Sequence, residues 1–248
     1  MNYSSLGIIP ARIGSSQVKR KNIRKLAGKP LIAYTVEAAL ESKLNRVIVS
    51  TDSLEIAEIA KSYGADVPFL RPSKFSHNKA KAIDVVQHCL SWLSENESWR
   101  PDMIAYLQPT SPMRDYYHID KAIDSMDENV SSVISLVEVD QHPYYMFTKN
   151  KDNKINEFIK IKNKPERRQD LPTIYCSNPL IAISWTSYIE EIICKNGLVV
   201  NLENFNPIYI DNIDSIDINN EKDFLVATEL MKQKIYNSQH EKKYRAIA

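Results

Sequence analysis

Leu6-Gly7-Ile8-Ile9-Pro10 is a short apolar run closed by a proline, and the stretch after it, Ala11 to Asn22, turns abruptly polar and basic. A run of this length bounded by turn residues reads as a buried strand that empties into a loop. Outward from it the pattern repeats. Gly28-Lys29-Pro30 leads into Leu31, Tyr34, Thr35, Ala38 and Ala39, spaced as one face of a helix, with Pro30 suited to the first helical position. Arg46–Ser50, built on Val47-Ile48-Val49, reads as the next strand. Asp52 followed by Glu55 has the form of a capping box, with Ile56, Ile59, Ala60 and Tyr63 as the inward stripe and Gly64 as the stop.

The alternation continues with a strand expected over Asp66–Leu70, a helix over Ala82–Leu93, a strand over Met103–Leu107, a helix over Tyr117–Met126 and a strand over Val133–Val137. Strands separated by helices of this length imply right-handed crossovers and a mainly parallel sheet covered on both faces. The fold class is α/β, with ligands expected beyond the carboxyl ends of the strands. Between 140 and 178 the rhythm breaks: His142-Pro143-Tyr144-Tyr145 is followed by eight bases from Lys149 to Arg168. That excursion is too short to hold a core of its own and reads as an arm that packs on a partner subunit, with a disordered loop as the alternative. The chain then re-enters with Leu180–Ile183, a helix near Tyr188–Cys194, a strand near Pro207–Ile210 and a last helix opening at Asn220 with Phe224, Ala227, Leu230 and Met231 inward. The expected organisation is one α/β domain from 1–139 and 179–248, with 140–178 inserted.

Composition narrows the function. At 248 residues, 43% apolar and 25% charged, the chain suits an ordinary folded domain. No stretch approaches 18 apolar residues and no basic-then-apolar leader is present, so the expected location is the cytoplasm, with no membrane partner. Cys89, Cys176 and Cys194 form no C-x-x-C pair and read as ordinary buried thiols. With glycines only at 7, 14, 28, 64 and 197, neither G-x-G-x-x-G nor a Walker loop can be written. The histidines lack metal-site spacing, no G-x-S-x-G elbow occurs, and no helix gathers the interleaved bases and aromatics of a nucleic-acid reader.

The net charge of +1 hides a segregation. Arg12, Lys19, Arg20, Lys21, Arg24, Lys25 and Lys29 precede the first acid, whereas 201–229 carries seven acids against Lys222 alone. Such segments meeting across a cleft could hold a polyphosphate on one side and its cation on the other; two solvated faces of opposite sign is the plainer alternative. In the loop after the first strand, Arg12 can fork onto phosphate oxygens, Gly14 and Ser15 let backbone amides approach an anion, and Lys21 supplies a compact charge. The loop reads as a triphosphate cradle, with a merely solvated basic loop as the alternative.

Seven blocks occur in order: IPARIGS with KN at 21–22, GKPLI at 28–32, STD at 50–52, FLRP at 69–72, LQPTSP at 107–112, RRQDLP at 167–172 and SIDIN at 215–219. Together they resemble the acylneuraminate cytidylyltransferases, the CMP-sialic acid synthetase family with its legionaminic and pseudaminic acid relatives. The resemblance implies a three-layer αβα, Rossmann-like fold and a homodimer whose inserted arm reaches the neighbour's active site. It also implies attack by the anomeric 2-hydroxyl of a nine-carbon 2-keto sugar acid on the α-phosphorus of CTP, with Mg²⁺, giving CMP-sugar and pyrophosphate. By the same resemblance Arg12, Ser15 and Lys21 hold the triphosphate, and Asn22, Arg71 and Ala80 form the cytidine site. Gln108 stands beside the sugar and the reacting centre, and Asp217 and Asn219 are the metal ligands, the latter through an amide oxygen with one formal charge fewer than a carboxylate. Arg12, Lys21, Gln108 and Asp217 are the expected catalytic set. Arg167, Arg168 and Gln169 fall in the arm, where one of the arginines suits the sugar carboxylate; pairing of an arginine with Asp170 is the alternative.

The departures from the pattern are Asn219 where a second Asp is usual, with Asp214 or water as possible compensation, Ser16 and Lys19 in the loop, Ala82 beside the base, and Cys176 and Pro179 after the arm. They leave two other readings open: a CTP-binding homologue of low or no activity, and a cytidylyltransferase for an eight-carbon 2-keto sugar acid.

Overall fold

Alternate residues of a strand point to opposite faces of its sheet, and β1 (Ser5–Pro10) shows the consequence. Leu6 and Ile8 pack into one apolar cluster and Ile9 into another. The computed structural model describes residues 3–15, 17–162, 165, 167–193, 195 and 197–245, with side chains through Ser238; Ser16 and Cys194 lie outside the described residues. After β1 comes a small hairpin, β2 (Lys25–Leu26) and β3 (Lys29–Pro30), turned by Ala27 and Gly28 at φ 45° and 98°. Two successive positive φ values make a tight hairpin turn, and glycine is the residue that adopts them without strain.

The main alternation follows: α1 (Leu31–Leu40), β4 (Arg46–Ser50), α2 (Leu54–Ser62), α3 (Ala82–Glu97), β5 (Met103–Tyr106), α4 (Tyr116–Asp124) and β6 (Ser132–Glu138). The arm carries a hairpin of β7 (Phe147–Lys149) and β8 (Ile155–Glu157). The chain closes with β9 (Tyr175–Trp185), α5 (Thr186–Ile193), β10 (Phe205–Tyr209) and α6 (Glu221–Arg245).

The six-stranded sheet runs β10-β6-β9-β5-β1-β4. β1 is parallel to β4 and β5, and β10 to β6, while β9 is antiparallel to both of its neighbours. The expected mainly parallel, Rossmann-like sheet is what forms. α1, α2 and α4 cover the Ile9 face through Ile32, Ile56 and Ile119, and α3 and α5 cover the opposite face through Val86 and Ile189. α6 packs Phe224, Ala227 and Met231 against Val18, Leu26 and Ile218, so the end of the chain closes over the basic loop. Because β4 and β5 flank β1 on opposite sides, the strand order reverses there. A crevice opens at the carboxyl ends of β1 and β5.

Five local expectations need correction. Asp66–Leu70 is not a strand: only Asp66 bridges, to Ile48, because Pro68 and Pro72 remove donors that a ladder needs. The cap of α2 is Ser53, whose side chain accepts from the Ile56 amide, and Asp52 instead accepts from the Ile13 amide at 2.9 Å and pins the basic loop. Pro30 stands one residue before α1. Of the described cysteines Cys89 is buried, with its thiol pushed up to about 12 by desolvation, but Cys176 is exposed on β9. That strand starts at Tyr175, so the sheet resumes four residues inside the expected arm.

Candidate functional site

The loop after β1 can reach the crevice only if its backbone is held, and three contacts hold it. Asp52 takes the Ile13 amide, Asn22 donates its side-chain amide to the Arg12 carbonyl at 2.9 Å, and Arg12 donates to Asn78 Oδ1. Around this loop lies a cavity of about 240 Å³ lined by Arg12, Ser15, Lys21, Asn22, Arg71, Ala80 and Gln108. Every residue assigned to the nucleotide from sequence is therefore brought to one pocket. Arg71 is buried, its Nε bonded to Ser76 Oγ at 3.2 Å, and desolvation lowers its pKa. Tyr106, in the same wall, is pushed up to about 12 by burial.

The acidic segment meets this loop, as charge segregation allowed. Lys21 Nζ donates to the Ile218 carbonyl at 2.8 Å, and the Ile218 amide donates to the Thr110 carbonyl at 2.9 Å. Burial lowers the Lys21 pKa, and the charge of Asp217 partly offsets that. Arg24 pairs with Glu221 at 2.7 Å and lies over the Phe224 ring. Part of the segregated charge is thus spent on holding α6, and Arg12 and Lys21 remain turned to the pocket.

Asp217 lines an adjoining cavity of about 760 Å³. Lys81, Tyr106 and Gln108 line both cavities, so Gln108 stands at their junction. Asp217 Oδ2 accepts from the Asn219 side-chain amide at 2.8 Å, while Oδ1 is buried with no hydrogen-bond partner among the described residues. Buried carboxylate oxygens are rarely left unpaired without cause. An orphaned oxygen beside a basic pocket fits Mg²⁺, which is commonly held by one or two carboxylates together with substrate phosphates. Among the described residues no group of three or more His, Cys, Asp or Glu gathers to form a cage by itself. Asn219 turns its amide nitrogen to Asp217 and so holds that carboxylate in place. Asp214 does not compensate: it accepts from Tyr117 at 3.2 Å and lies 3.5 Å from His118 Nε2, which, with desolvation opposing, holds its carboxyl below the usual range.

The arm residues are not brought to this pocket in their own chain. Arg167 pairs with Asp170 at 2.8 Å, the alternative reading of that position. Arg168 donates to the Asp140 carbonyl, and with Gln169 it lines a separate cavity of about 450 Å³ at the root of the arm.

Sequence reasoning missed Arg114, two residues beyond the LQPTSP block. It is buried to 3% exposure and donates to the Leu180 carbonyl at 2.6 Å, Thr35 Oγ1 at 2.9 Å, and the Gln108 and Pro179 carbonyls at 2.9 and 3.3 Å. One guanidinium therefore ties Gln108 to β9 and α1. Burial lowers its pKa to about 9, and four acceptors favour the charged form at neutral pH. No sequence signal marked it, because Thr110, Ser111, Pro112 and Asp115 around it read as a polar loop, and Asn78 likewise carried none.

The sequence profile described as Cytidylyltransferase matches residues 6–193. The chain belongs to the cytidylyltransferase family. It is similar to the CMP-N,N'-diacetyllegionaminic acid synthase of Legionella pneumophila, 36% identical over 231 residues that cover 91% of this chain and 95% of that protein. The pseudaminic acid cytidylyltransferase of Campylobacter jejuni is 35% identical over 174 residues, 69% of this chain and 74% of that one. The N-acylneuraminate cytidylyltransferase of Escherichia coli is 46% identical over 124 residues, half of this chain and 28% of a longer protein. In fold, this cytidylyltransferase resembles a CMP:2-keto-3-deoxy-manno-octonic acid synthetase solved with CTP, with a TM-score of 0.66 over 93% of this chain and 99% of that one; at 16% identity the likeness concerns the fold alone. Among the described residues no helix is long and apolar enough to cross a membrane.

Proposed function

We propose that the protein activates a nine-carbon 2-keto sugar acid with CTP, releasing pyrophosphate and forming the CMP-sugar. The observation that carries this reading is the junction at Gln108: a basic pocket of nucleotide scale opens there into a second cavity bearing an unsatisfied carboxylate. CTP lies in the first, its triphosphate against Arg12, Ser15 and Lys21 and its base toward Asn22, Arg71 and Ala80. The sugar acid lies in the second, so that its anomeric 2-hydroxyl meets the α-phosphorus beside Gln108. Asp217, steadied by Asn219, is the residue that would hold Mg²⁺, which supplies charge neutralisation at the phosphates. Arg12 and Lys21 oppose the charge that grows on pyrophosphate as it leaves, and fixed cations in a partly dry site do this without reorganising. Placing two substrates in adjoining cavities supplies the remaining acceleration, through orientation.

The assay is pyrophosphate release with CTP, Mg²⁺ and, in turn, sialic, legionaminic and pseudaminic acids. Turnover of at least one supports the reading, and silence with all three while the protein binds CTP refutes it.

The proposal includes a homodimer formed through the arm. Phe147, Ile155 and Phe158 are 63, 61 and 59% exposed there, an apolar surface of the kind that marks an interface. In that assembly Arg168 and Gln169 would serve the neighbour's sugar site. Dependence on CTP is consistent with a cytoplasmic location.

A further inference from the structure

The larger cavity extends well beyond the junction at Gln108, and away from that junction its wall is mainly apolar. Its charged side chains are Lys81, which also lines the nucleotide pocket, and Asp217, whose charge Lys21 of that pocket feels. Away from them the loop 197–202 contributes Leu198, Val199, Val200 and Leu202, and the sheet contributes Ile134 and Ile181. Most of the polar groups in this part are already engaged. Asn178 donates to the Ser215 carbonyl at 2.6 Å and accepts from the Leu180 amide at 2.8 Å. The Val199 carbonyl accepts from Ser184 at 2.6 Å and the Val200 carbonyl from Tyr188 at 3.2 Å. Leu198 and Leu202 nevertheless stand 59 and 51% exposed, apolar surface at the rim of a cavity that continues directly from the site of reaction.

We propose that this apolar lobe receives the exocyclic tail of the sugar acid and selects a tail that carries acylamido and methyl groups over one that carries a row of hydroxyls. The inference rests on the reading of the preceding subsection and specifies the substrate class within it. Each hydroxyl drawn into the lobe leaves water for a wall with few free partners, a loss for every unmatched group. A methyl or acyl methyl there removes Leu198, Leu202 and itself from water together. An acylamido group brings one donor and one acceptor, fewer demands than three hydroxyls, and Ser177 in the same wall and the open mouth can meet them.

The test compares kcat/KM of the full-length protein, by pyrophosphate release, for N,N'-diacetyllegionaminic acid and N-acetylneuraminic acid at saturating CTP and Mg²⁺. The expected ratio favours the diacylated acid by at least about tenfold, the discrimination that apolar pockets commonly reach for small apolar differences. Leu198→Asn and Leu202→Asn, both at exposed positions that folding tolerates, are expected to cut that ratio about tenfold, chiefly through the acylated substrate. A ratio near one or reversed, with turnover intact, overturns the lobe and leaves cytidylyl transfer standing. A ratio unmoved in both variants overturns it too. No turnover of any nonulosonic acid, with CTP still bound, brings down both readings.

Discussion

Arg114→Met is the perturbation that most directly probes how the site is held. In the native protein one buried guanidinium serves three carbonyls and a hydroxyl, those of Leu180, Gln108, Pro179 and Thr35. Methionine approximates its length and apolar volume and donates nothing. Each acceptor left dry costs about 1–3 kcal/mol, while the cation's own desolvation, which no carboxylate within ion-pair distance offsets among the described residues, is relieved. The difference is about 3–5 kcal/mol of stability, less than the sum over four neutral acceptors because the cation's desolvation is relieved and the freed groups partly find other partners. For a chain of this size that lowers the melting temperature by about 6–20 °C, at roughly 2–4 °C per kcal/mol. Arg114→Lys keeps the charge but not the fork, and about half the loss is expected. Thr35→Val removes one bond at about 1 kcal/mol, and in the double variant the two changes should be less than additive. Thermal melts followed by circular dichroism measure all four proteins. Steady-state kinetics at a temperature where each is folded should show kcat falling while KM for CTP holds, because the Gln108 carbonyl is freed and the phosphate ligands are not. A methionine variant within about 1 kcal/mol of the native protein, or full additivity with Thr35→Val, would refute the network.

Lys21 is held below its ordinary 10.5 by burial, so in the free protein the charged form is the one disfavoured. The expected kcat/KM profile therefore declines on the alkaline side at a pH below 10.5, and Lys21→Arg moves that limb out of range; an unmoved limb assigns it to another group. Asp217→Asn should raise the Mg²⁺ concentration needed for half-maximal rate, and Asn219→Asp should lower it several-fold by adding a carboxylate. A metal titration unchanged in both variants removes Asp217 from the metal site. Gly7→Ala would place a Cβ 2.9 Å from Leu44 Cδ1, a flexible side-chain tip, so the expected loss is at the low end for overpacking, about 1 kcal/mol, read as a melting shift of about 2–4 °C. No shift would mean that Leu44 swings aside.

The parallel core was legible in the sequence because burial on both faces leaves unbroken apolar runs, as in Leu6–Pro10 and Arg46–Ser50, separated by helical stripes. The nucleotide pocket was legible for a related reason: a basic loop directly after the first strand has one place to go in such a sheet. The reversed direction of β9 was not, since period and composition read the same in either direction. Asp66–Leu70 misled because its apolar residues outweighed two prolines whose effect falls on hydrogen bonding. The roles of Arg114 and Asn219 lie in contacts formed only after folding, and short strands such as β7 and β8 are too brief for any period to register.

The hydrogen bond from Lys21 to the Ile218 carbonyl joins positions 197 residues apart. A chain emerging from the ribosome therefore presents the basic loop long before the carbonyl that receives Lys21. On the proposed reading, truncation at residue 216 would remove that acceptor together with Asp217, and the fragment would not turn over nucleotide.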